Sequence, residues 1–432
     1  MPDVHTPLAR AVLVHLSDLH FSCDDPGLEA RNALIREKVR GDLVTLLEED
    51  VGARADAVLV TGDIAYGGAE EEYRKATAWL EEVMVPITNG STRLLCVPGN
   101  HDVEWSKIGP THAAHRGNVA GCLDEELDVL LDAYLSEDGQ AVLHPLGAYN
   151  EFAASLGCQI EDAYSWETAL PIGGGYQLDF RGITTVVNSH KNDGAGGLAV
   201  HSNQLLYMRE PGRIAVLLAH HDTHFWRRHH RLDGDVTKRM SLALYGHTHS
   251  PRLRQVEQCL EVTGGAVQPE EGKDWLPAYN VIELHVRSGS SADTANLVVR
   301  VWRRRFSTDH DAFVPDVASG LFEERVLSIL AAQADPPPED ATDHEEVRVA
   351  LTTPEGEPHP IREVQRTLYN LGAGERITVL DRIGIDVSDL ARLPPHRLIP
   401  RAAAAVIDHD KLTAFRAAVA GRDKPMQGDE DV

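Results

Sequence analysis

The chain repeatedly places histidines and carboxylates directly after short apolar runs, and this arrangement constrains its fold more than any other feature. Five segments show it, and in chain order they read SDLH, TGDIAYGG, PGNHD, LLAHHD and YGHTH. In an open α/β sheet, ligands bind beyond the carboxyl ends of the strands. If each apolar run is a strand, the five polar clusters therefore converge on one place.

In the first hundred residues the apolar runs alternate with segments of helical periodicity. Runs at 11–17, 57–61 and 93–97 are predicted strands, while the apolar residues of 28–49 and 70–83 recur with helical spacing. Strands that alternate with helices form βα units around a largely buried sheet. The fold class is therefore α/β, with further strands predicted at 183–188, 214–219, 241–245, 280–286 and 297–302.

The sequence divides into a large first domain and a small tail. Residues 1–315 contain all the predicted strands, with a mostly helical insertion at about 105–165. Residues 316–346 are predicted to form a helix and an acidic, proline-rich linker, because QADPPPEDATDHEE offers little that could be buried. Residues 347–432 are predicted to form a small helical domain, with amphipathic helices at 361–371, 375–383 and 411–419.

The net charge limits which partners the protein can bind, and the cysteines indicate its cellular compartment. The formal net charge is −26, from 41 basic and 67 acidic residues, which argues against a protein that coats nucleic acid electrostatically. An enzyme that cuts nucleic acid at a local site stays open, because bound metal ions can supply positive charge. The five cysteines form no CxxC motif and indicate free thiols in a reducing compartment. With no recognisable signal peptide or membrane span, we expect a cytoplasmic protein without a membrane partner.

The residue types in the five clusters suit a pair of metal ions. In an extended segment, residues i and i+2 face the same way, so Asp18 and His20 can present two ligands together. The same holds for His247 and His249. Asp63 stands alone in a glycine-flanked turn and is the natural carboxylate to bridge two cations. Imidazole and carboxylate ligands favour Mn²⁺, iron or Zn²⁺ over Ca²⁺, and the lack of cysteine ligands argues against a structural zinc site.

Each cluster also has an ordinary structural interpretation. Gly-Asp and Asn-Asp pairs are common in turns, and a histidine at a strand end can simply be buried and hydrogen-bonded. The glycines Gly62, Gly99 and Gly246 fit either interpretation, because they allow tight turns close to a site. A chance origin for the whole set is disfavoured, because every coincidence would have to fall at a strand end.

The order D-x-H, G-D, G-N-H-D, H, G-H-x-H resembles the calcineurin-like metallophosphoesterase superfamily over residues 11–306. The resemblance implies a four-layer α/β/β/α sandwich with a dimetal site at the edge of the sheets. The motif set is similar to that of cyclic-nucleotide phosphodiesterases. By matching motifs, the resemblance implies two ligand sets bridged by Asp63, which are Asp18, His20 and His249 for one ion, and Asn100, His220 and His247 for the other.

The resemblance also implies a mechanism and its catalytic residues. A hydroxide that bridges two ions of Mn²⁺, Fe²⁺/Fe³⁺ or Zn²⁺ would attack phosphorus in line, while the ions clamp the phosphate oxygens. His101 would be the catalytic histidine, acting on the leaving oxygen, and Asp102 would orient it. A turn-stabilising role for Asp102 is the alternative. His220 is preferred to His221 as a ligand because it directly follows the strand.

Four residues near the clusters are candidates for contacting the substrate. His221, Trp226 and Arg227 belong to the segment HHDTHFWRRHH, where Trp226 could stack on a base and Arg227 could bind phosphate. The alternative is an amphipathic surface helix whose charges are solvated. Asn188 follows another predicted strand, where a turn-forming role is the alternative. Whether Tyr66 contacts the substrate is left open by the sequence.

The motifs build a metal site and not a substrate pocket, so several functions stay open. We expect a phosphoester hydrolase, first of all a phosphodiesterase, whose substrate could be a nucleotide. A nuclease acting on DNA or RNA and a phosphomonoesterase use the same chemistry. The tail at 347–432 loosely resembles the helical adaptor domains of bacterial effector enzymes, and would then recruit the enzyme as the effector of a signalling or defence system. A packing element or self-association is the alternative for the tail.

Overall fold

A computed structural model describes most of the first 333 residues and short stretches between 364 and 420. The chain divides into two compact units, Met1–Pro336 and Pro337–Val432. The first unit contains both β-sheets, and the described part of the second is helical. The continuous described ranges of the first unit are 7–23, 26–136, 140–160, 164–190, 193–269 and 276–333.

Strands and helices alternate up to the strand Thr88–Cys96, and runs of helices or of strands follow. The strands are Ala9–Leu16 (β1), Ala55–Val60 (β2), Thr88–Cys96 (β3), Ser165–Gly173 (β4), Tyr176–Ile183 (β5), Arg213–Leu218 (β6), Leu242–Tyr245 (β7), Arg252–Val256 (β8), Cys259–Thr263 (β9), Ala278–Ser288 (β10), Thr294–Ser307 (β11), Ala312–Pro315 (β12) and Glu323–Leu330 (β13). The helices are Pro26–Thr45 (α1), Glu70–Ile87 (α2), Pro110–Gly121 (α3), Leu127–Ser136 (α4), Gln140–Leu143 (α5), Gly147–Ala154 (α6), His229–Arg239 (α7), Ala373–Arg382 (α8) and Leu412–Ala420 (α9).

The strands form two mixed sheets. In the first sheet the order is β12-β11-β10-β1-β2-β3, and β13 pairs with the same edge of β11 as β12. The second sheet has the order β4-β5-β6-β7-β9-β8. Strands β1, β2 and β3 run parallel to one another, as do β5, β6, β7 and β9. The parallel strands of each sheet therefore end at one edge, and the polar segments follow there.

The two sheets pack face to face, with helices on their outer faces. Val216 and Leu218 of β6 belong to the apolar core that also contains the first sheet, α1 and α2. Leu217, between them, belongs to a separate cluster with Leu232 and Val236 of α7. This alternation is the period of two that a strand imposes on its side chains. The layers are therefore helix, sheet, sheet and helix, which confirms the α/β/β/α fold class.

The strand predicted at 183–188 is wrong in its position. The strand there is β5, which ends at Ile183, and the apolar residues after it lie in a buried loop. Burial in the core makes this loop as apolar as a strand, so periodicity alone could not separate the two. The sequence pattern also missed β4, β8, β9 and β12. Three of these, β4, β8 and β12, lie at sheet edges, where less apolar character is required.

The helix predicted within 316–346 is also wrong. Residues Glu323–Leu330 form β13 instead, paired with β11 from Thr294 to Val301. Leu327 and Ile329 are buried between exposed neighbours, which is the alternation of a half-buried strand. The first domain therefore extends beyond residue 315 and includes this strand.

The segment at about 105–165, where the sequence predicts a helical insertion, contains α3 to α6 between β3 and β4. The hydroxyl of Tyr149 in this segment donates to the carbonyl oxygen of Cys96 at 3.1 Å. The indole Nε1 of Trp166 donates to the same oxygen at 2.9 Å. The last residue of β3, just before PGNHD, is therefore anchored from the insertion and from β4.

The second unit has an apolar cluster of its own, to which Val379, Leu380 and Phe415 contribute buried side chains. Helices α8 and α9 overlap the segments predicted to be helical at 375–383 and 411–419. Most of the helix predicted at 361–371, and the linker after residue 333, lie outside the described residues.

All five cysteines lie in the described part of the chain and carry free thiols. Among the helices that the structure describes, none combines the length and the apolar character that crossing a bilayer requires.

Truncation tests the place of β13 in the first domain. A chain that ends after Pro315 loses the pairing of β13 with β11 and the burial of Leu327 and Ile329. Losing two buried aliphatic side chains costs about 4 kcal/mol or more, so we expect a thermal midpoint at least about 5 °C below that of a chain ending after Ala332. Scanning fluorimetry of the two chains measures the difference, and equal midpoints would contradict the assignment.

Candidate metal centre

The loops that follow five strands meet at one edge of the sandwich. Strands β1, β2 and β3 end at Leu16, Val60 and Cys96, and these three residues pair with one another in register. Strands β6 and β7 of the second sheet pair up to Leu218 and Leu244 in the same way. The five polar segments begin just beyond these positions, and their side chains contact one another across the two sheets.

The ligand pairs do not lie in extended backbone, contrary to the prediction from their i, i+2 spacing. Asp18 and His20 have φ angles of 53° and 47°. His247 and His249 have φ angles of 66° and 55°, and Asp63 has 51°. These are five of the eight non-glycine residues with positive φ in the described part of the chain. Left-handed backbone is costly outside glycine and is concentrated at functional sites, so tertiary contacts must hold these loops.

Three glycines allow the strained loops to approach one another. A Cβ on Gly99 would collide with the carboxylate of Asp63. A Cβ on Gly62, whose φ is 93°, would lie 2.5 Å from Nδ1 of His220. A Cβ on Gly246 would collide with the loop after β1. Any side chain at these positions would push the loops apart, so the close approach requires glycine.

Asp18, His20 and His249 form the first group of donor atoms. Nε2 of His249 lies 3.0 Å from Oδ1 of Asp18, and Nε2 of His20 lies 3.8 Å from the same oxygen. All three residues are buried, yet within the described residues neither ring nitrogen of His20 has a hydrogen-bond partner. A buried imidazole in this state is costly unless it binds a ligand.

Asn100, His220 and His247 form the second group. Oδ1 of Asn100 lies 3.1 Å from Nε2 of His220 and 3.0 Å from Nδ1 of His247. Nδ1 of His220 lies 2.7 Å from the carbonyl oxygen of Thr61, which can only accept a hydrogen bond. A neutral His220 therefore carries its proton on Nδ1 and directs the lone pair of Nε2 at the oxygen of Asn100. Two acceptors that face each other are stabilised by a cation between them.

Asp63 lies between the two groups. Its Oδ2 is 3.7 Å from Nε2 of His20 and 3.3 Å from Nε2 of His220. Its Oδ1 accepts a hydrogen bond from the backbone N–H of His101 at 2.8 Å, which fixes the orientation of the carboxylate. One carboxylate therefore borders both groups of donor atoms.

The electrostatics of the site favour bound cations. Burial by itself raises the pKa of a carboxyl, but neighbouring histidines hold the pKa of Asp63 far below its usual range. Burial would lower the pKa of His220, yet Asp63 and Asp18 raise it to about 9, which reflects how strongly the site attracts positive charge. Burial and neighbouring histidines lower the pKa of His247 to about 2, so this imidazole is neutral and has a free lone pair.

The two groups of donor atoms fit a pair of metal ions. Ligands that are each about 2.1 Å from one ion lie roughly 3 Å apart when they occupy neighbouring positions around it. The separations of 3.0 and 3.1 Å within the groups match this spacing. In the part of the chain that the structure describes, four triplets of histidine and aspartate side chains have their donor atoms within 4.8 Å of one another, and the triplets share members. Such a mixed nitrogen and oxygen set suits Mn²⁺, iron or Zn²⁺ better than Ca²⁺.

His101 lies beside the first group and is oriented by a backbone carbonyl. Its Nδ1 lies 2.9 Å from the carbonyl oxygen of Tyr66, so Nδ1 carries a proton and donates it. Its ring centroid is 4.7 Å from that of His20. Nε2 of His101 is therefore the ring nitrogen that is left to act on a substrate.

Asp102 does not orient His101, contrary to the prediction. Its buried carboxylate accepts hydrogen bonds from the backbone N–H groups of Ala65 (2.9 Å) and Gly99 (2.8 Å). It also accepts a hydrogen bond from the hydroxyl of Tyr73 at 2.8 Å. Burial and a neighbouring carboxylate raise its pKa to about 6. Asp102 thus ties the loop after β2 to the loop after β3, which is the turn-stabilising alternative.

His221 and Asn188, the first two candidates for substrate contact, contact neighbouring loops. His221 is completely buried, with Nδ1 2.8 Å from the hydroxyl of Thr185 and Nε2 3.3 Å from Asp193. The side chain of Asn188 exchanges hydrogen bonds with the backbone of the loop at 197–199. Nε2 of His221 nevertheless has no hydrogen-bond partner among the described residues, and one ring nitrogen of His221 lies within 4.8 Å of donor atoms of His220 and His247. For both residues, contact with a substrate stays a prediction.

Trp226 and Arg227, the other two candidates, have partners within the protein. Trp226 is completely buried, and its Nε1 donates to the carbonyl oxygen of His221 at 3.0 Å. Arg227 donates to the carbonyl oxygens of Val119 and Cys122, at 2.7 Å each, at the C-terminal end of α3. Cations stabilise this end of a helix. These contacts link the loop after β6 to the insertion, so Trp226 and Arg227 do not belong to a solvated helix face.

Sequence reasoning missed two residues that support the site. Tyr73, on the buried face of α2, donates to Asp102. Asp193 faces His221 from the loop after β5. No motif marks either residue, because each is placed by an element distant in sequence from its partner.

Comparisons with known proteins give one family match. The calcineurin-like phosphoesterase family matches residues 11–251, which is more than half of the chain. No curated protein is matched.

Several solved structures are similar to the chain at low identity. A protein of Streptococcus pneumoniae TIGR4 described as a predicted phosphoesterase is 14% identical, with 74% of this chain and 98% of that chain covered, at a TM-score of 0.30. Purple acid phosphatase PPD1 from yellow lupin (Lupinus luteus) seeds is 13% identical, with 77% of this chain and 57% of that chain covered, at a TM-score of 0.39. Vps29 of Chaetomium thermophilum is 9% identical, with 77% of this chain and 100% of that chain covered, at a TM-score of 0.27. At these TM-scores the solved structures add no argument of their own.

The family match includes all five polar segments, from SDLH to YGHTH. The contacts described above bring the same segments together at the ends of the strands. The chain belongs to the calcineurin-like phosphoesterase family, and it is a metal-dependent phosphoester hydrolase.

Proposed function

We propose that the chain is a dimetal phosphodiesterase that hydrolyses a small phosphodiester, such as a nucleotide ester. The family supplies the reaction class, which is metal-dependent hydrolysis of a phosphoester. The ions we propose are Mn²⁺, iron or Zn²⁺, on the chemistry of the donor atoms. The proposed ligands are Asp18, His20 and His249 for one ion, Asn100, His220 and His247 for the other, and Asp63 for both.

The position of Asp63 carries this proposal. One carboxylate oxygen lies 3.7 Å from the nearest histidine of the first group and 3.3 Å from that of the second. A carboxylate shared by two groups of ligands supports two ions, because a site for one ion would need only one of these groups.

The metal ions and the residues of the protein would supply different parts of the chemistry. When bound, two such ions supply Lewis acidity, lower the pKa of water and neutralise charge on the phosphate. The chain holds those ligands and places Nε2 of His101 where it can act on the leaving oxygen. Because Nδ1 donates to the Tyr66 carbonyl, Nε2 can donate as well only when His101 is cationic. A cationic His101 would stabilise charge on the leaving oxygen and could give it a proton.

Two observations favour a small phosphodiester over DNA or RNA. Trp226 is buried and Arg227 binds the end of α3, so the side chains that suggested nucleic-acid contact are engaged elsewhere. The formal net charge of −26 also opposes the capture of a polyanion.

We also propose that Pro337–Val432 recruits a protein partner, with self-association as the alternative. This unit has its own apolar cluster, and its described residues contribute to none of the groups of metal-ligand type. Both features support a role other than catalysis. The five free thiols support a reducing compartment such as the cytoplasm.

Replacing the shared carboxylate tests the dimetal site. We expect Asp63→Ala to lose at least about a thousandfold of the Mn²⁺-dependent hydrolysis of bis-p-nitrophenyl phosphate, because both ions lose a ligand. Calorimetry should show two Mn²⁺ ions per wild-type chain and fewer in the variant. Asp311→Ala, at a carboxylate that is 78% exposed, is the control. An inactive wild type in the presence of Mn²⁺, or a fully active Asp63→Ala, would contradict the proposal.

Replacing His101 separates catalysis from metal binding. We expect His101→Ala to lower kcat by about 10²- to 10⁴-fold, the range for loss of a general acid, while the Mn²⁺ stoichiometry stays unchanged. His144→Ala, at an exposed histidine of the insertion, is the matched control. Loss of one Mn²⁺ ion from His101→Ala would instead make His101 a ligand.

Replacing Asp102 distinguishes a loop tie from a catalytic group. We expect Asp102→Ala to lower the free energy of unfolding by about 3 kcal/mol or more, because it leaves several buried donors unpaired. Tyr73→Phe removes one of these donors and should cost about 1 kcal/mol. Urea unfolding measures both changes. Wild-type stability together with lost activity in Asp102→Ala would restore a direct role in orienting the catalytic histidine.

A further inference from the structure

We propose that Tyr66 is a specificity-determining residue that stacks on a planar aromatic group of the substrate. This role rests on the proposed function and deepens it, because it assigns the preferred substrates to nucleoside and aryl phosphoesters. The place of the ring, its exposure and its fixed backbone together support the role.

The Tyr66 ring borders the metal centre without being part of the core. Its centroid lies 5.0 Å from that of His101, with an angle of 32° between the planes, and 5.8 Å from that of His20. The residue is 43% exposed, whereas Tyr149 and Tyr245 are completely or almost completely buried. Within the described part of the chain, no residue hydrogen-bonds to its hydroxyl. The ring therefore packs beside the two histidines and keeps part of its surface exposed at this edge.

The backbone around Tyr66 is held on both sides. Its N–H donates to the carbonyl oxygen of Phe21 at 2.9 Å, and its own carbonyl oxygen accepts from Nδ1 of His101. The next N–H, that of Gly67, donates to the carboxylate of Glu72 at 2.9 Å. The ring is thus presented by a fixed turn, so that stacking costs little additional ordering of the chain.

The position of the ring relative to His101 indicates which part of a substrate it would meet. Nε2 of His101 acts at the leaving oxygen in the proposed reaction, so the organic group on that oxygen passes beside the neighbouring ring. Aromatic rings attract one another at centroid separations of about 4.5–7 Å. Stacking depends on a planar face and tolerates different bases. A nucleoside or aryl group fits this surface, and an alkyl group gains less from it.

A pair of ligands that differ only by a base tests the role directly. Full-length protein loaded with Mn²⁺ is titrated calorimetrically with adenosine 5′-monophosphate and with ribose 5-phosphate. We expect Tyr66→Ala to weaken binding of the nucleotide by about 5- to 100-fold, the range for loss of one base–aromatic stack. Binding of ribose 5-phosphate should change less than about twofold, because it has no base to stack. Tyr66→Phe keeps the aromatic face and should retain the wild-type affinity for the nucleotide.

Met208→Ala, at a side chain that is 81% exposed, controls for a general effect of surface truncation. Unchanged nucleotide affinity in Tyr66→Ala, or an equal loss for both ligands, would overturn the stacking role. A wild type that hydrolyses bis-p-nitrophenyl phosphate but binds neither ligand would also overturn the stacking role. The proposed function would remain supported in that case. A wild type that neither binds these ligands nor hydrolyses the diester defeats the proposed function itself.

Discussion

The convergence of buried acceptor atoms around Asp63 is the constraint on which the rest of the structure depends. Carboxylate oxygens, the amide oxygen of Asn100 and histidine nitrogens lie 3.0–3.8 Å apart where the two sheets meet. In a poorly solvated interior such groups destabilise one another unless positive charge lies among them. The pKa of His220 is raised because the neighbouring carboxylates stabilise positive charge on its ring. The fold must hold these atoms together against their mutual repulsion.

Left-handed loops, held by tertiary hydrogen bonds, keep these atoms in place. Five candidate ligand positions have positive φ, and glycines such as Gly99 allow one loop to lie directly against the carboxylate of another. Asp102 joins two of the loops by accepting from backbone N–H groups on each. These contacts restrict where the donor atoms can lie, which is what metal-dependent hydrolysis requires of its ligands.

The segment from His220 to Arg227 links the metal centre to the helical insertion. At one end His220 faces Asn100 and Asp63, and at the other Arg227 binds the end of α3. Trp226 between them is buried, so the segment supports the loop after β6. Its His224 is exposed, and the ring centroid of the half-buried Phe225 lies 4.8 Å from that of His247. On the other side of the centre, the exposed ring of Tyr66 lies beside His101, and there we propose substrate selectivity.

The sequence by itself determined the α/β class, the family, and the types and order of the candidate ligands, because apolar runs and the motifs beyond them are local properties of the chain. It could not determine the left-handed backbone of the ligand pairs, the strand β13, or the partners of Asp102, Trp226 and Arg227. Those features depend on which distant segments lie against each residue. Only the packing of the two sheets decides whether a polar side chain there contacts a ligand or holds a loop.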